Sequence, residues 1–333
     1  MTLDTATPES MAQLIEDQYD VEITESPRYL EAAHQHRHRK LVVGTERGRY
    51  LIKTYKRDLV VLDSLRFQHR LAEHLGNKGL PVARILPAMN GKRIVEEDDW
   101  AIELQEFVPG APMQVTHKTL ATSARTLGTF HKVCRDFPCP DRDARKWRFS
   151  EVPRDMFGHL YDLARAEGDS AQVDDACNGI ALFLRDAGQE LDTHARNRFE
   201  TGLIHGDWHG GNLLFEGEEL TAIVDLEFAG DGCYLEDLAY VLSNLCMRTT
   251  TDVGRLELRA NIILDNYQFS RSLSPWEERA LYYAIGVKHV TTVSYQSVQL
   301  ETGLAGLPAS EWMQRLLLQC RWLARRAQKI RWG

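Results

Sequence analysis

His205-Gly206-Asp207-Trp208-His209-Gly210-Gly211-Asn212, followed at a short interval by Ile223-Val224-Asp225, is the stretch on which the reading of this chain turns. Asp207 and Asn212 stand five residues apart. Residues 212–215 and 220–225 are rich in strand formers on either side of a polar turn at 216–219, so the spacing predicts a hairpin that returns Asp225 to the same edge. The result is a carboxylate, an amide oxygen and a second carboxylate: hard donors of the kind magnesium takes together with substrate phosphates. Moving a phosphoryl group asks a protein for little covalent chemistry. It needs a carboxylate to orient the attacking hydroxyl and oxygen ligands for the metal that bridges the phosphates. An isolated Asp-x-x-x-x-Asn arises often by chance; the full pattern with its hairpin and Ile-Val-Asp does not. The bland alternative is a capped polar turn ahead of a hairpin.

Upstream of this stretch the chain reads as a small sheet with one helix. Residues 21–24 alternate, 40–45 and 49–55 are strand-like around Gly48, and 85–87 and 100–107 supply two more strands. Residues 62–77 keep Leu62, Leu65, Leu71, Ala72 and Leu75 on one helical face, and Gly79 and Pro81 stop the helix. Beyond Pro109-Gly110 the helical period dominates, over 120–133, 180–199, 235–246, 256–269, 275–295 and 312–330. The expected fold class is α+β, with a small antiparallel-sheet lobe plus one helix (1–105), a hinge (106–110) and a larger, mainly helical lobe (111–333).

The 333 residues are 43% hydrophobic and 26% charged, enough for two lobes with a substantial core. No apolar run approaches the ~20 residues of a membrane helix. The polar, acidic start MTLDTATPES has no signal-peptide character. Six scattered cysteines (Cys134, Cys139, Cys177, Cys233, Cys246, Cys320) read as thiols of a reducing cytoplasm. A net charge of −8 without a basic stripe argues against a nucleic-acid surface.

The loop resembles that of the aminoglycoside phosphotransferase and choline kinase family of the protein-kinase-like superfamily, which includes type II homoserine kinases, methylthioribose kinases and bacterial stress-response kinases. The likeness extends over most of the chain through Leu51-Ile52-Lys53, Gly79-Leu80-Pro81-Val82, Phe107-Val108-Pro109-Gly110, Leu127-Gly128-Thr129-Phe130-His131 and Asp237-Leu238-Ala239-Tyr240. The resemblance implies a two-lobed kinase fold, ATP and Mg2+ as cofactors, Asp207 as catalytic base, Asn212 and Asp225 as magnesium ligands, and Lys53 on the α/β-phosphates. It also implies His205 and Asp237 as supports of the catalytic loop. His209 reads as a further loop brace, and His131 as a satisfied packing residue.

Lys53 is suggested independently, because alternation in 50–55 places it with Leu51 and Tyr55 on one face, where a lysine is costly unless an anion meets it. A strand ending near Glu106 and Val108 offers backbone groups to an adenine edge, with Leu214, and more weakly Val224, forming the apolar floor. Three features depart from the wider kinase pattern. Gln68 falls where the small-lobe helix commonly carries a lysine-pairing glutamate, leaving Lys53 without a carboxylate on that helix. No glycine-rich loop separates the first strands; the connection ends in His34-Gln35-His36-Arg37-His38-Arg39-Lys40, read as a solvated basic hairpin before phosphate contact or metal binding. The metal motif is Asp225-Leu226-Glu227, and Glu227 shares the face of Asp225 if the strand persists.

The terminal segment 312–333 carries Arg315, Arg321, Arg325, Arg326, Lys329 and Arg331 with no acidic residue. It reads as a helix packing Leu316, Leu317 and Trp322 and pairing its arginines with the acidic body, in preference to one lying on a membrane. Only a few residues separate Asp225 from the next helix, leaving little platform for a peptide. The expected acceptor is therefore a small hydroxyl compound, and Glu227, Asp231 and Glu236 suit one bearing an amine. Residues 71–82 and 266–281 look most like homoserine kinases, whereas 205–212 look more like aminoglycoside and stress-response kinases. A Ser/Thr protein kinase of the stress-response type and a catalytically silent binding module stand as alternatives. The identity of the acceptor, ATP against GTP, and oligomeric state lie beyond the sequence.

Overall fold

The structure is a computed structural model that describes residues 8–30, 39–137, 152–192, 194, 197–247, 252–299 and 306–330. His34, His36, His38, Cys139 and Arg331 lie outside the described residues. The chain divides into two compact units. The first comprises Met1–Pro112, Phe137–Cys139 and Leu213–Glu227; the second comprises Met113–Asp136, Pro140–Asn212 and Phe228–Gly333. The hairpin after Asn212 thus groups with the sheet unit, although the sequence boundary leaves it in the helical one.

In the first unit, helix α1 (Pro8–Tyr19) precedes strands β1 (Ile23–Tyr29), β2 (Arg39–Thr45) and β3 (Gly48–Lys56). Helix α2 (Leu59–Asn77) is followed by β4 (Ile85–Leu86), β5 (Val95–Glu97), β6 (Trp100–Glu106) and β7 (Ala111–Pro112). The antiparallel sheet runs β1-β2-β3-β6-β4, with β5 also on β6. Period-two alternation sorts its faces. Leu41, Val43, Tyr50, Ile52, Ile102 and Leu104 join Met11, Ile15 and Tyr19 of α1 in one core. Each such side chain, when fully buried, contributes about 1.5–3 kcal/mol. On the opposite face Tyr55 and Ala101 pack with Leu62 and Leu65 of α2, and this face carries Lys53.

Helix α2 begins where the Asp58 side chain accepts the Val61 N–H at 2.7 Å. It ends as Leu80 N–H bonds back to the Leu75 carbonyl at 3.0 Å, with Gly79 at φ +83°, a conformation that suits glycine. Strands β8 (Thr201–Ile204), β9 (Leu213–Glu216), β10 (Glu219–Ile223) and β11 (Gly230–Cys233) come later in the chain. β9 pairs with β10 and β7, and Ile223 N–H donates to the Pro81 carbonyl at 2.7 Å, tying this hairpin to the segment after α2.

The second unit holds α3 (His117–Cys134), α4 (Arg154–Glu167), α5 (Ser170–Glu190), α6 (Tyr234–Leu242), α7 (Val253–Tyr267), α8 (Pro275–Gln299) and α9 (Ala309–Lys329), plus the antiparallel β8–β11 pair. α3 packs on α7, and α9 on α5 and α8. Leu316, Leu317 and Trp322 are buried, and Arg326 reaches Glu257 of α7 at 2.7 Å. No described helix is long and apolar enough to cross a membrane.

Several elements differ from the sequence expectation. α1 and α4 fall where no element is assigned from the sequence; α4 buries only Leu160 and Ala164, too narrow a stripe to show as a strong period. α5 stops at Glu190 instead of running to residue 199. The β8–β11 pair carries no strand signal because three of its eight residues are glycine. At Gly202 a Cβ would lie 2.2 Å from the Tyr234 hydroxyl, so close packing overrides β propensity there.

Candidate active site

The first unit contributes a row of charges made by strand register. Lys40 of β2 lies opposite Lys53 of β3, and Lys53 opposite Glu103 of β6, all on the face toward α2. The Lys53 ammonium is 4.0 Å from Glu103 Oε1. Glu103 is 2% exposed and accepts the Tyr55 hydroxyl at 3.0 Å, Gln105 Nε2 at 2.6 Å and His69 Nε2 at 2.5 Å. A carboxylate only accepts, so His69 donates from Nε2. Burial by itself would raise the Glu103 pKa; the His69 hydrogen bond and the charge of Lys53 outweigh it and hold the group below the usual carboxylate range.

Gln68 lines the same cleft as Lys53, Glu103 and Asp225, but its Nε2 donates to Ser64 of its own helix at 3.1 Å. The carboxylate that Lys53 lacks on α2 is thus supplied by the neighbouring strand, a residue the sequence reading missed. Its only sequence signal is an acid in the middle of an otherwise mostly apolar strand, whose partner emerges from register alone.

Asp225 follows the end of β10 and adopts φ +64°, the left-handed region, which an aspartate tolerates better than bulkier residues. The chain then enters a short 3-10 turn, Leu226–Phe228. Strand alternation therefore does not extend to Glu227, and the expected shared face is not formed. Lys40 lies 4.0 Å from Asp225 Oδ2. Burial, then repulsion from Lys53, lowers the Lys40 pKa against the opposing pull of Asp225, Glu227 and Glu103. At the end of β6 the Glu106 N–H is committed to the Arg84 carbonyl at 2.8 Å. Leu214 is half-buried on β9.

The second unit carries the loop from His205 to Asn212. Asp237, fully buried in the first turn of α6, accepts the His205 N–H and the Gly206 N–H, each at 2.7 Å, and His131 Nε2 at 3.0 Å. Gly206 sits at φ +81°, which brings two successive amides onto one carboxylate. His131, packed against the Tyr234 ring, also bonds the Tyr267 hydroxyl at 2.9 Å, and burial lowers its pKa despite the Asp237 charge. Trp208 is buried and donates Nε1 to Ser123 of α3 at 3.0 Å.

These anchors leave Asp207 half-buried. Its N–H donates to His205 Nδ1 at 3.2 Å, and its Oδ2 accepts Asn212 Nδ2 at 2.9 Å. His209 Nδ1 accepts the Gly211 N–H at 2.9 Å, which places the ring proton on Nε2, 3.3 Å from Asp207 Oδ2. Burial would raise the Asp207 pKa, but the hydrogen bond and charge of His209, the Tyr240 hydroxyl and His205 lower it to about 2. Asn212 Nδ2 is spent on Asp207, which directs its Oδ1 elsewhere as an oxygen donor. Asp231 and Glu236 belong to other elements of the unit. Asp231 is an exposed residue of β11 opposite Leu203, and Glu236 Oε1 accepts the Cys233 N–H at 3.0 Å, capping α6.

Comparison with known proteins gives this geometry a family. The model of the "Phosphotransferase enzyme family" matches residues 29–273. The homoserine kinase of Caulobacter vibrioides is 25% identical over 242 residues, 71% of each chain. The aminoglycoside phosphotransferase of Alicyclobacillus acidocaldarius superimposes with a TM-score of 0.69 at 17% identity, covering 96% of both chains. A microcompartment-associated aminopropanol kinase does so with a TM-score of 0.67 at 19% identity, over 97% of this chain and 100% of that one. The chain belongs to the phosphotransferase enzyme family and is an ATP-dependent kinase that phosphorylates a hydroxyl.

Proposed function

We propose that the protein transfers the γ-phosphate of magnesium-bound ATP to a hydroxyl of a small, amine-bearing molecule: an aminoglycoside, an aminosugar or a homoserine- or choline-like amino alcohol. The observation that carries the reading is the Asp207 carboxylate: ionised, held by His209 and Asn212, and still 22% exposed along its side chain. A carboxylate so placed orients an acceptor hydroxyl and takes its proton late in the transfer. Lys53 takes the α/β-phosphates, the Glu106 carbonyl and Val108 amide take the adenine edge, and Leu214 lies under the ring. Asn212 Oδ1 and Asp225 are hard donors that suit Mg2+, which usually takes one or two protein oxygens together with substrate phosphates. Bound by these residues, the metal would neutralise charge between the phosphates. Homoserine and aminopropanol, the substrates in the relatives' names, are both amino alcohols, which supports the acceptor class.

Calorimetry with ATP should show binding that magnesium strengthens, and Asp225→Asn should abolish that strengthening. Equal binding with and without metal sinks the two-ligand assignment. ATP consumption across amino alcohols, aminosugars, aminoglycosides and protein substrates tests the acceptor. Faster turnover on folded proteins than on any amine-bearing metabolite sinks the small-molecule reading.

A further inference from the structure

We propose that Glu103, on β6, is the residue that positions Lys53 for the nucleotide phosphates, with His69 of α2 locking Glu103 in place. The inference rests on the assignment of Lys53 to ATP. Lys53 and Glu103 face each other directly across the β3–β6 ladder, so both side chains leave the sheet on one face. Three donors from two strands and a helix fix the Glu103 carboxylate: Tyr55 and Gln105 on Oε1, His69 on Oε2. At 2% exposure it cannot meet a ligand itself, and the sheet cation it does face, at 4.0 Å, is Lys53.

The 4.0 Å separation has a consequence. It is short enough for the carboxylate charge to hold the ammonium on this side of the strand, and too long for a hydrogen bond, so the N–H donors of Lys53 are left for phosphate oxygens. Gln68 cannot substitute, since it is neutral and turned toward Ser64. The helix still takes part, because His69, the residue next to Gln68, reaches the strand carboxylate and ties α2 to the lysine through it.

The test compares Glu103→Gln, Lys53→Met, the double variant, and Glu103→Gln combined with Gln68→Glu, read as magnesium-dependent ATP hydrolysis with water as acceptor. Glu103→Gln keeps the shape and removes the charge, and should lower kcat/KM for ATP about 10- to 100-fold, as expected when a reacting group is misplaced by about an ångström. In the Lys53→Met background the same change should cost nothing further, and Gln68→Glu should restore at least about threefold of the loss by returning a carboxylate to the cleft. An equal loss with and without Lys53 means a purely structural role and overturns the proposal, as does a folded Glu103→Gln variant at wild-type rate. If Glu103→Gln does not fold, His69→Gln, which keeps an N–H donor at a changed reach, should lose about threefold or more in the presence of Lys53 only; equal loss in both backgrounds overturns the proposal. A wild-type protein that fails to bind magnesium-ATP sinks the parent reading together with this one. Binding and turnover with an unaffected Glu103→Gln sink this one alone.

Discussion

Glu103 and Asp207 are both carboxylates held ionised against burial, and they are built in opposite ways. Glu103 accepts only from side chains, drawn from β3, β6 and α2, and retains 2% of its exposure. Asp207 is set mainly by its own loop, through His205, His209 and Asn212, all within five residues of it, with the Tyr240 hydroxyl of α6 added, and its side chain keeps 22% of its exposure. The difference separates two kinds of work. A carboxylate whose acceptor sites are filled by protein donors can only steer another side chain, whereas one with exposed oxygen can meet an incoming hydroxyl.

The comparison predicts unequal sensitivity. Asp207→Asn preserves shape and removes basicity, so turnover should fall by about 10²–10⁴ with little change in ATP affinity. A near wild-type rate in steady-state assays would place the base elsewhere, with Glu227 the next candidate. Next in size is Asp237→Asn. Its carboxylate accepts two loop amides and His131 with no exposure, and hydrogen bonds to a charged group contribute about 1.5–3 kcal/mol each. We expect a loss of about 2–4 kcal/mol in denaturant unfolding, with kcat falling in parallel as the loop loosens. A drop in stability with unchanged kcat would show that the loop holds its shape without this brace.

The pH dependence sharpens the same contrast. Asp207 is depressed from an ordinary value of 3.8 to about 2. Its contribution to stability is fully present above the ordinary aspartate value and is lost as pH falls through that value toward 2, an effect of about 1–2 kcal/mol. Thermal midpoints of Asp207→Asn and wild type, measured from neutral pH down to about pH 2, should therefore draw together, with most of the convergence below about pH 3. Parallel curves would mean that His209 and Tyr240 do not hold the charge.

The two carboxylates also differ in how visible they are in the sequence. The loop reads directly because its parts are adjacent along the chain: the Asp207–Asn212 interval, the histidines beside it and the hairpin after it are local features. Glu103 pairs with Lys53 across fifty residues, through a register that no periodicity in either strand specifies. The same reason hides the brace by His131, 106 residues from Asp237. Strands β2, β3 and β6 and helix α2 are legible from alternation and helical period. The β8–β11 pair is not, because Gly202 and Gly232 answer to the bulk of Tyr234 and Ile204 instead of to strand propensity. Glu227 is misplaced by extending alternation past Ile223, where the chain leaves the strand for a turn.

The smallest expected effect concerns Glu236, which the sequence groups with Asp231 as a cation-binding pair. In the fold its Oε1 closes a capping box with Cys233 at the start of α6, a helix that also presents Asp237 one residue later. A side chain spent on its own helix terminus has a structural task, typically worth about 0.5–2 kcal/mol when deleted. Glu236→Gln retains an oxygen acceptor at the same reach and gives up only the charge near the helix N-terminus, so the loss should be about 0.3–1 kcal/mol in unfolding experiments. The KM for an amine-bearing acceptor should stay at the wild-type value. Asp231→Asn, at an exposed position of β11, should change neither. A rise in acceptor KM of about tenfold or more in either variant, without loss of stability, would restore these acids to the acceptor site. It would also mean that amine recognition is built like Glu103, from residues distant in sequence, and not from the loop that carries Asp207.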